Sequence, residues 1–452
     1  MPYIANSDRD RQAMLDRIGA ASIDELLAGI PASNRLTEEL AVSPALSESE
    51  LVRHVHELAA ANLVPAPQNC FLGGGAYISY IPETVRVLAT RSEFITAYTP
   101  YQAEVSQGTL QVIYEFQSMI QRLTGMEIAN ASLYDGGSAL AEGLRMARAI
   151  HEDQPGRKRI LLSDGLFRKH LQVARTYGSP WPHSLETIAL ENGRLNPAAL
   201  SERLDDTVCA VVIQSPNAFG SVEDLKELTA RCHAAGALVI HVFDPLAQAL
   251  FTSSGEADVD IAVGEGQSIS QPPQYGGPNL GLFASRARWV RLMPGRLIGS
   301  TEDASGKRGY VLTFQTREQH IRRAKATSNI CTNQALVATF ATIYLSLMGG
   351  SGLRQLARSL YTRATWLAER LERIPGCRVL SAAPFFREFA LELPGRDRVL
   401  EELKRQGVLA GLALDSRRGS DALLVAVNEF QTQDDLENFA RLIERATGGG
   451  AR

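Results

Sequence analysis

CAVVIQSPNAFGSVEDLKELTARCHAAGALVIHVF, residues 209–243, carries the clearest structural pattern in the chain. Its ends are apolar runs, 209–214 and 238–243, and the part between them has a helical pattern over 222–235 that Gly236 ends. A strand, a helix and a strand of these lengths are typical of a crossover unit in a parallel sheet, where strands are apolar on both faces. This part of the sequence predicts an α/β layer fold.

The same alternation extends in both directions along the chain. Further strands are predicted over residues 159–163, 186–190, 261–263 and 280–284, and a helix over 197–204 with Asn196 as its cap. Upstream, Ser22-Ile-Asp-Glu25 and Ser47-Glu-Ser-Glu50 are capping-box patterns that open helical stretches. We therefore predict a helical arm over residues 1–65 and a large α/β domain over residues 66–335.

A smaller α+β domain is predicted over residues 336–452. Gly349-Gly350 breaks the chain, and a long helix over 352–374, strands near 378–380, 386–393 and 423–427, and a final helix follow. The tail, residues 448–452, is expected to be frayed. The apolar stretch 335–348 is too short for a membrane span and predicts a buried core helix.

Composition excludes several classes of function. The 452 residues carry a formal net charge of -4, which gives no electrostatic case for binding nucleic acid or an anionic membrane. The N-terminus lacks the apolar core of a secretory signal, and the five cysteines are scattered, so we expect a cytoplasmic chain with reduced core cysteines and no metal site. Lysine is rare, with only Lys158, Lys169, Lys226, Lys307, Lys325 and Lys404.

Two features could hold an anion and a ring cation. In Tyr134-Asp-Gly-Gly-Ser138, Gly136, Gly137 and Ser138 stand where free N–H groups at a helix N-terminus would bind a phosphate, although plain turn chemistry is the commoner explanation. Asp244 follows a strand end, where it could hold a protonated pyridine nitrogen or simply cap the turn before Pro245.

Two polar segments, residues 98–108 and 325–334, are candidate active-site walls because they are rich in aromatic, amide and hydroxyl groups. The alternative is a surface loop together with a helix cap at Ser328 or Thr332.

Several segments in order resemble the glycine decarboxylase P-protein family, specifically its alpha-type subunit where the enzyme is split in two. They are Met1-Pro-Tyr-Ile, Asn69-Cys-Phe-Leu-Gly-Gly-Gly-Ala-Tyr77, Tyr98-Thr-Pro-Tyr-Gln102, Glu104-Val-Ser-Gln-Gly108, Gly264-Glu-Gly-Gln267, Tyr275-Gly-Gly-Pro278, Met293-Pro-Gly-Arg-Leu-Ile-Gly299, residues 309–323 and residues 325–336. The resemblance spans nearly the whole chain. It implies fold type I of pyridoxal-phosphate enzymes, the aspartate aminotransferase-like fold, and glycine dehydrogenase (aminomethyl-transferring, decarboxylating) activity.

The resemblance also implies that this chain lacks the cofactor's anchor. The catalytic partner carries a His-Lys pair where this sequence reads Gly266-Gln267, and glutamine has no primary amine with which to form a Schiff base. Pyridoxal phosphate would then be bound by the partner subunit, and Gly136, Gly137, Ser138 and Asp244 would outline a degenerate cofactor site.

Finally, the resemblance implies an α2β2 assembly with glycine dehydrogenase subunit 2, in which glycine is decarboxylated and the aminomethyl group passes to the lipoyl arm of H-protein. Segments of this chain would wall the partner's active site, through Tyr98, Tyr101, Gln102, Glu104, Ser106, Gln107, Arg296, Thr327, Ser328, Asn329 and Thr332. Arg296, Arg317, Arg322 and Arg323 could guide a carboxylate or the anionic H-protein. One departure is Ala103, where the family pattern has proline.

Two rival interpretations remain. The first is a self-sufficient pyridoxal-phosphate transaminase or lyase that uses Lys325 or Lys169, and the second is a non-catalytic scaffolding paralogue.

Overall fold

The computed structural model describes residues 5–36, 38, 40–95, 97–181, 184–414 and 421–448. Met1-Pro-Tyr-Ile, which is part of the family resemblance, and residues 449–452 of the predicted tail lie outside the described residues. The chain divides into two compact units, Met1–Leu63 and Val64–Arg452. The division of the second unit at residue 336 stays a prediction.

The described residues of the first unit form the α-helices α1 (Asp8–Ile18), α2 (Ile23–Leu26) and α3 (Glu48–Ala60). Both predicted helix starts are confirmed: the Ser47 N–H donates to Glu50 over 2.9 Å at the start of α3, and the Ser22 hydroxyl accepts from the Glu25 N–H at the start of α2. Of the described apolar residues of this unit, only Leu15 and Ala20 are buried. The unit therefore has almost no core of its own.

The second unit combines helices with two main sheets. Its helices are α4 (Glu83–Ala89), α5 (Ser92–Ile95), α6 (Gln107–Thr124), α7 (Gly136–Ile150), α8 (Arg168–Gly178), α9 (Pro197–Arg203), α10 (Leu225–Ala234), α11 (Gln319–Arg322), α12 (Ala335–Glu372), α13 (Arg396–Arg405) and α14 (Gln433–Ala446). Its strands are β1 (Ile128–Ala129), β2 (Arg159–Ser163), β3 (Leu185–Ile188), β4 (Leu190–Glu191), β5 (Arg194–Leu195), β6 (Val208–Ser215), β7 (Leu238–Phe243), β8 (Ile261–Glu265), β9 (Gly281–Ser285), β10 (Leu297–Glu302), β11 (Arg308–Thr313), β12 (Arg378–Val379), β13 (Glu388–Glu392), β14 (Leu412–Ala413) and β15 (Ala422–Ala426).

The large sheet has the strand order β1-β9-β8-β7-β6-β2-β3. The strands from β3 to β8 in this order are parallel, and β9 is antiparallel to both β8 and β1. In β7, Ile240 and Val242 pack in one apolar cluster with α7, whereas Val239 packs in another cluster on the opposite face. Burial on both faces is why these strands read as continuous apolar runs.

The small sheet is antiparallel, in the order β12-β13-β15-β14. One apolar cluster joins it to the large sheet: Phe389 and Val425 of the small sheet share this cluster with Ala262 and Leu282 of the large one, and with α12. Among the described helices, α12 alone is long and apolar enough to cross a membrane, and 44% of its most apolar stretch is buried in the protein. Helix α12 packs in the core, as predicted for residues 335–348, and this packing accounts for its apolar composition.

The predicted break at Gly349 is confirmed, because Gly349 takes the non-helical angles φ 59 and ψ 176 and the two helical parts of α12 meet at a kink there. Two other predictions needed correction. The predicted strand over 186–190 is two strands, β3 and β4, which belong to different sheets. The helix caps suggested at Ser328 and Thr332 are wrong, since α12 begins at Ala335 with Gln334 as its cap.

Candidate functional site

The residues predicted to outline a cofactor site meet at the carboxyl edge of the large sheet. Asp244 follows the end of β7, and Glu265 ends β8 just before Gly266 and Gln267. Helix α7 begins at Gly136 beside this edge, with Asp135 as its cap. Parallel strands bring their carboxyl ends together, so this clustering follows from the topology. We call this region the cofactor seat.

The N-terminus of α7 is already bonded to side chains of the chain itself. The Asp135 carboxylate accepts from the Ser138 N–H over 2.6 Å and from the Ser138 hydroxyl over 2.7 Å. The Gly136 N–H donates to Glu265 Oε2 over 3.0 Å. Gly137 lies in the same turn against Val173. The helix start predicted to offer free donors is confirmed as a helix start, but two of its donors are engaged.

Glu265 receives two more backbone donors. Its Oε1 accepts from the N–H groups of Gln267 over 3.0 Å and Leu280 over 2.9 Å. Burial is the strongest influence on the pKa of Glu265 and raises it to about 7, against the lowering effect of these N–H groups and of the Lys169 ammonium. Glu265 therefore holds strand β8, strand β9 and helix α7 together at one point.

Asp244 both caps a turn and holds a cation, the two contacts that its sequence position suggested. Its Oδ1 caps the following turn by accepting from the N–H groups of Leu246 and Ala247, over 2.9 and 3.0 Å. Its Oδ2 pairs with a cation, but this cation is the chain's own: the buried guanidinium of Arg387, which lies 3.4 Å from the centre of the Tyr77 ring. Arg387 is 2% exposed.

Gln267 is buried and fully engaged. Its Oε1 accepts from the Tyr77 N–H over 2.9 Å, while its Nε2 donates to the carbonyls of Tyr77 over 3.0 Å and Gln271 over 2.7 Å. The amide side chain thus pairs with both backbone groups of Tyr77, as a neighbouring strand would. A lysine could not reproduce this, because an ammonium has no acceptor.

The cofactor seat does not fit pyridoxal phosphate. The cavity left between Tyr77, His170, Asp244, Glu265 and Glu388 has a volume of about 30 Å³, far below the roughly 300–1,000 Å³ of typical ligand pockets. Of the rival lysines, Lys169 borders the seat, with its Nζ 3.2 Å from where a Cβ on Gly75 would stand, and Lys325 is exposed. Both lie outside the position that Gln267 occupies.

The second candidate site is an open cleft of about 820 Å³. Six predicted wall residues line it, namely Tyr98, Tyr101, Gln102, Ser106, Arg296 and Thr332. Tyr98 is 86% exposed and Tyr101 is 51% exposed. Large aromatic faces open to water are typical of surfaces that another molecule covers.

Arg296 organises one side of this cleft. It is 5% exposed, and its guanidinium donates to the Cys331 carbonyl over 2.5 Å and to Asn333 Oδ1 over 3.2 Å. It also lies 5.7 Å from the centre of the Tyr101 ring. Its Nε has no hydrogen-bond partner among the described residues. One guanidinium therefore links the two predicted wall segments.

The remaining predicted wall residues lie elsewhere. Gln107 bonds the backbone of Tyr310 through both amide atoms, at 2.9 Å each, and holds its helix to β11. Thr327 and Ser328 line a separate cavity of about 10 Å³, and Glu104 and Asn329 are exposed outside the cleft. The functional role of all these residues stays a prediction.

Two sequence expectations need revision. Arg317 is buried, and its guanidinium donates to the carbonyls of Met293 and Gly295, so it holds a loop and is not free to guide a ligand. Arg322 and Arg323 are exposed. The cysteines were expected in the core, but Cys331 is exposed and lines the cleft.

Four residues of the cofactor seat were missed: Tyr77, Glu265, Arg387 and Glu388. Glu388 accepts from the Tyr77 hydroxyl over 3.0 Å and from the Gly74 N–H over 2.8 Å, and burial raises its pKa to about 7. One signal was available in the sequence. Arg387-Glu388 places two charges at the start of an apolar run, and charges in a core strand require partners.

The fold is that of fold type I of the pyridoxal-phosphate enzymes, as expected from the sequence. A sphingosine-1-phosphate lyase from Burkholderia pseudomallei superposes with a TM-score of 0.68 at 14% identity, covering 92% of this chain and 94% of the lyase. A glutamate decarboxylase from Lactobacillus brevis gives 0.68 at 13% identity, covering 93% and 97%. At such low identity these likenesses establish the fold alone.

Nearer relatives define the family. The crystal structure of a glycine decarboxylase (P-protein) of the glycine cleavage system, in inhibitor-bound form, superposes with a TM-score of 0.91 at 40% identity, covering 99% of this chain and 100% of that one. A probable glycine dehydrogenase (decarboxylating) subunit 1 from Chlorobium limicola is 46% identical over 445 residues, 98% of this chain and 99% of the relative. The family described as glycine cleavage system P-protein matches residues 1–443. The chain belongs to this family.

Proposed function

We propose that this chain is the alpha-type subunit of a two-subunit glycine dehydrogenase (decarboxylating), active only with a beta-type subunit that binds pyridoxal phosphate. The observation that carries the proposal is near-complete coverage by relatives named subunit 1, such as that of Thermomicrobium roseum, 44% identical over 452 residues. In the proposed α2β2 assembly, glycine loses CO2 and its aminomethyl group passes to the lipoyl arm of H-protein. We place the assembly in the cytoplasm.

The side chains in the cofactor seat support the proposal that the beta-type subunit, and not this chain, binds the cofactor. The family resemblance implies that Gln267 stands where the catalytic chains have lysine, and Glu265 and Arg387 occupy the space beside it. The chain thus offers no amine at the position of Gln267 and little room for the cofactor in the seat. The cofactor, held by the partner, would supply the electron-withdrawing ring needed for decarboxylation.

The open cleft is the part of this chain that we assign to the shared active site. Tyr98 and Tyr101 would be covered by the partner, and their rings would exclude water from the reacting glycine. Arg296 would position Tyr101 and the loop that carries Cys331, because it contacts both. In this role Arg296 is a positioning residue.

One observation favours a second candidate function. Lys169 lies beside Gly75 at the rim of the cofactor seat, so it is the amine that a self-sufficient enzyme would use. The Lys169→Arg variant removes that amine and keeps the charge. If the alpha-subunit proposal is correct, this variant supports full activity in the mixed enzyme.

The proposal is tested by reconstitution. The chain, a cognate beta-type subunit and their mixture are each assayed for exchange of the glycine carboxyl group with bicarbonate in the presence of lipoylated H-protein. Activity in the mixture alone is expected. Activity from this chain alone would overturn the proposal, and failure of the mixture despite a folded beta-type subunit would favour a non-catalytic scaffolding paralogue.

A further inference from the structure

The cofactor seat contains charged groups of the chain itself at the two places where the phosphate and the protonated ring nitrogen of a phosphorylated pyridine would lie. The groups come from parts of the chain that are distant in sequence: Glu265 ends β8 of the large sheet, whereas Arg387 precedes β13 of the small sheet. The arrangement is therefore built by the tertiary fold.

The first group is an anion at a helix N-terminus. Helix α7 spans 15 residues, and its positive end favours a negative group such as phosphate. The Glu265 carboxylate takes that position, with three N–H donors at 2.9 to 3.0 Å from Gly136, Gln267 and Leu280. A carboxylate that accepts several backbone N–H groups is a good electrostatic substitute for a phosphate oxygen set.

The second group is a cation between a carboxylate and an aromatic face. In pyridoxal-phosphate enzymes an acidic side chain holds the protonated ring nitrogen. Here Asp244 holds the Arg387 guanidinium, which is planar and cationic like a pyridinium, and the guanidinium lies 3.4 Å from the Tyr77 ring centre. The Arg387 side chain also reaches the Ser268 hydroxyl at 3.4 Å.

We propose that Glu265 and Arg387 form an internal substitute for the cofactor's two charges, so that the seat is electrostatically complete without a ligand and excludes pyridoxal phosphate. The exclusion then has a cause beyond the missing lysine. The inference concerns the chain alone and does not rest on the assembly proposed above, so either can fail without the other.

The binding test compares three forms of the full chain, which are incubated with pyridoxal phosphate and reduced with borohydride before intact-mass measurement and peptide mapping of the labelled lysine. The wild type is expected to gain no specific pyridoxyl mass, and Gln267→Lys is expected to gain none on the introduced lysine. The triple variant Glu265→Ala, Gln267→Lys, Arg387→Ala is expected to gain it, and to show a rise in Tm with pyridoxal phosphate that pyridoxal without phosphate does not produce. Labelling of the introduced lysine in Gln267→Lys alone would overturn the inference, as would a folded triple variant that gains no mass.

If the triple variant does not fold, a double-mutant cycle tests whether Asp244 and Arg387 act as a charge pair. Asp244→Asn leaves the buried Arg387 guanidinium without its carboxylate, and Arg387→Met leaves the part-buried Asp244 carboxylate without its cation. Each is expected to lower Tm, whereas the double variant should lower it by no more than the worse single one. Arg378→Met, which breaks the exposed pair with Glu392, is the matched control and should leave Tm nearly unchanged. Additive losses from Asp244→Asn and Arg387→Met would contradict the paired-charge substitute.

Discussion

Arg296 shows how one side chain sets the geometry of the open cleft. Replacing it with alanine removes the donors to the Cys331 carbonyl and Asn333 and the contact with Tyr101. Because misplacement of about 1 Å costs roughly 100-fold in rate, we expect Arg296→Ala to lower exchange activity of the mixed enzyme roughly 10- to 100-fold. Arg296→Lys keeps the charge but loses the planar guanidinium with its several fixed donors. It should therefore be more active than Arg296→Ala but less active than the wild type. Arg378→Met is the control, and an equal loss there would contradict a role specific to the cleft.

Glu223 provides a pH prediction at the same scale. It is 6% exposed and accepts from the Asn217 amide over 2.6 Å and the Leu195 N–H over 3.1 Å. Burial raises the pKa of Glu223 from 4.5 to about 7 in spite of these donors. The folded protein therefore binds a proton more tightly than the unfolded chain, and stability from this group is fully present below pH 4.5 and is lost as the pH rises through about 7.

Urea unfolding of wild type and Glu223→Gln across this pH window measures the effect. The free energy of unfolding of the wild type should fall relative to that of the variant as pH rises, by on the order of 3 kcal/mol at most. A difference that is constant with pH would contradict a raised pKa at Glu223.

At the scale of elements, two neighbouring glycines in α12 should respond with opposite sign. Gly349 has φ 59 and ψ 176, a conformation open almost only to glycine, whereas Gly350 has no positive φ, and a Cβ at either position would meet nothing within 4 Å. Gly349→Ala should destabilise the chain by about 1–3 kcal/mol through backbone strain alone. Gly350→Ala should stabilise it by roughly 0.5–1 kcal/mol. Measured unfolding free energies that change in the same direction would contradict the kink.

The elements that the sequence predicted well are those buried on both faces. Strands β2 and β7 were predicted to the residue because their apolar runs are uninterrupted. Strands β10, β11 and β14 were not foreseen, since they pair in small antiparallel sheets or at an edge, where the apolar pattern is weak. The break at Gly349 was also predicted correctly, because a pair of glycines is a local signal that interrupts a helix.

At the scale of the whole molecule, sequence distance limited the prediction of the sites. The glycine-rich helix start and Asp244 were found because each has a local pattern. Arg387 and Tyr77, which complete the cofactor seat, stand 143 residues from Asp244 and 190 residues from Gln267 respectively, and no local pattern relates such positions. Gln267 was found only through the resemblance to a family, which supplied the comparison with lysine.

For the whole molecule, we propose that this chain is the half of a glycine dehydrogenase that does not bind the cofactor. The most direct measurement is intact-mass analysis of both chains after borohydride reduction of the active mixture. We expect a pyridoxyl group on the beta-type chain and none on this one. A pyridoxyl group on Lys169, or on any other lysine of this chain, with loss of activity when that lysine is replaced, would contradict it.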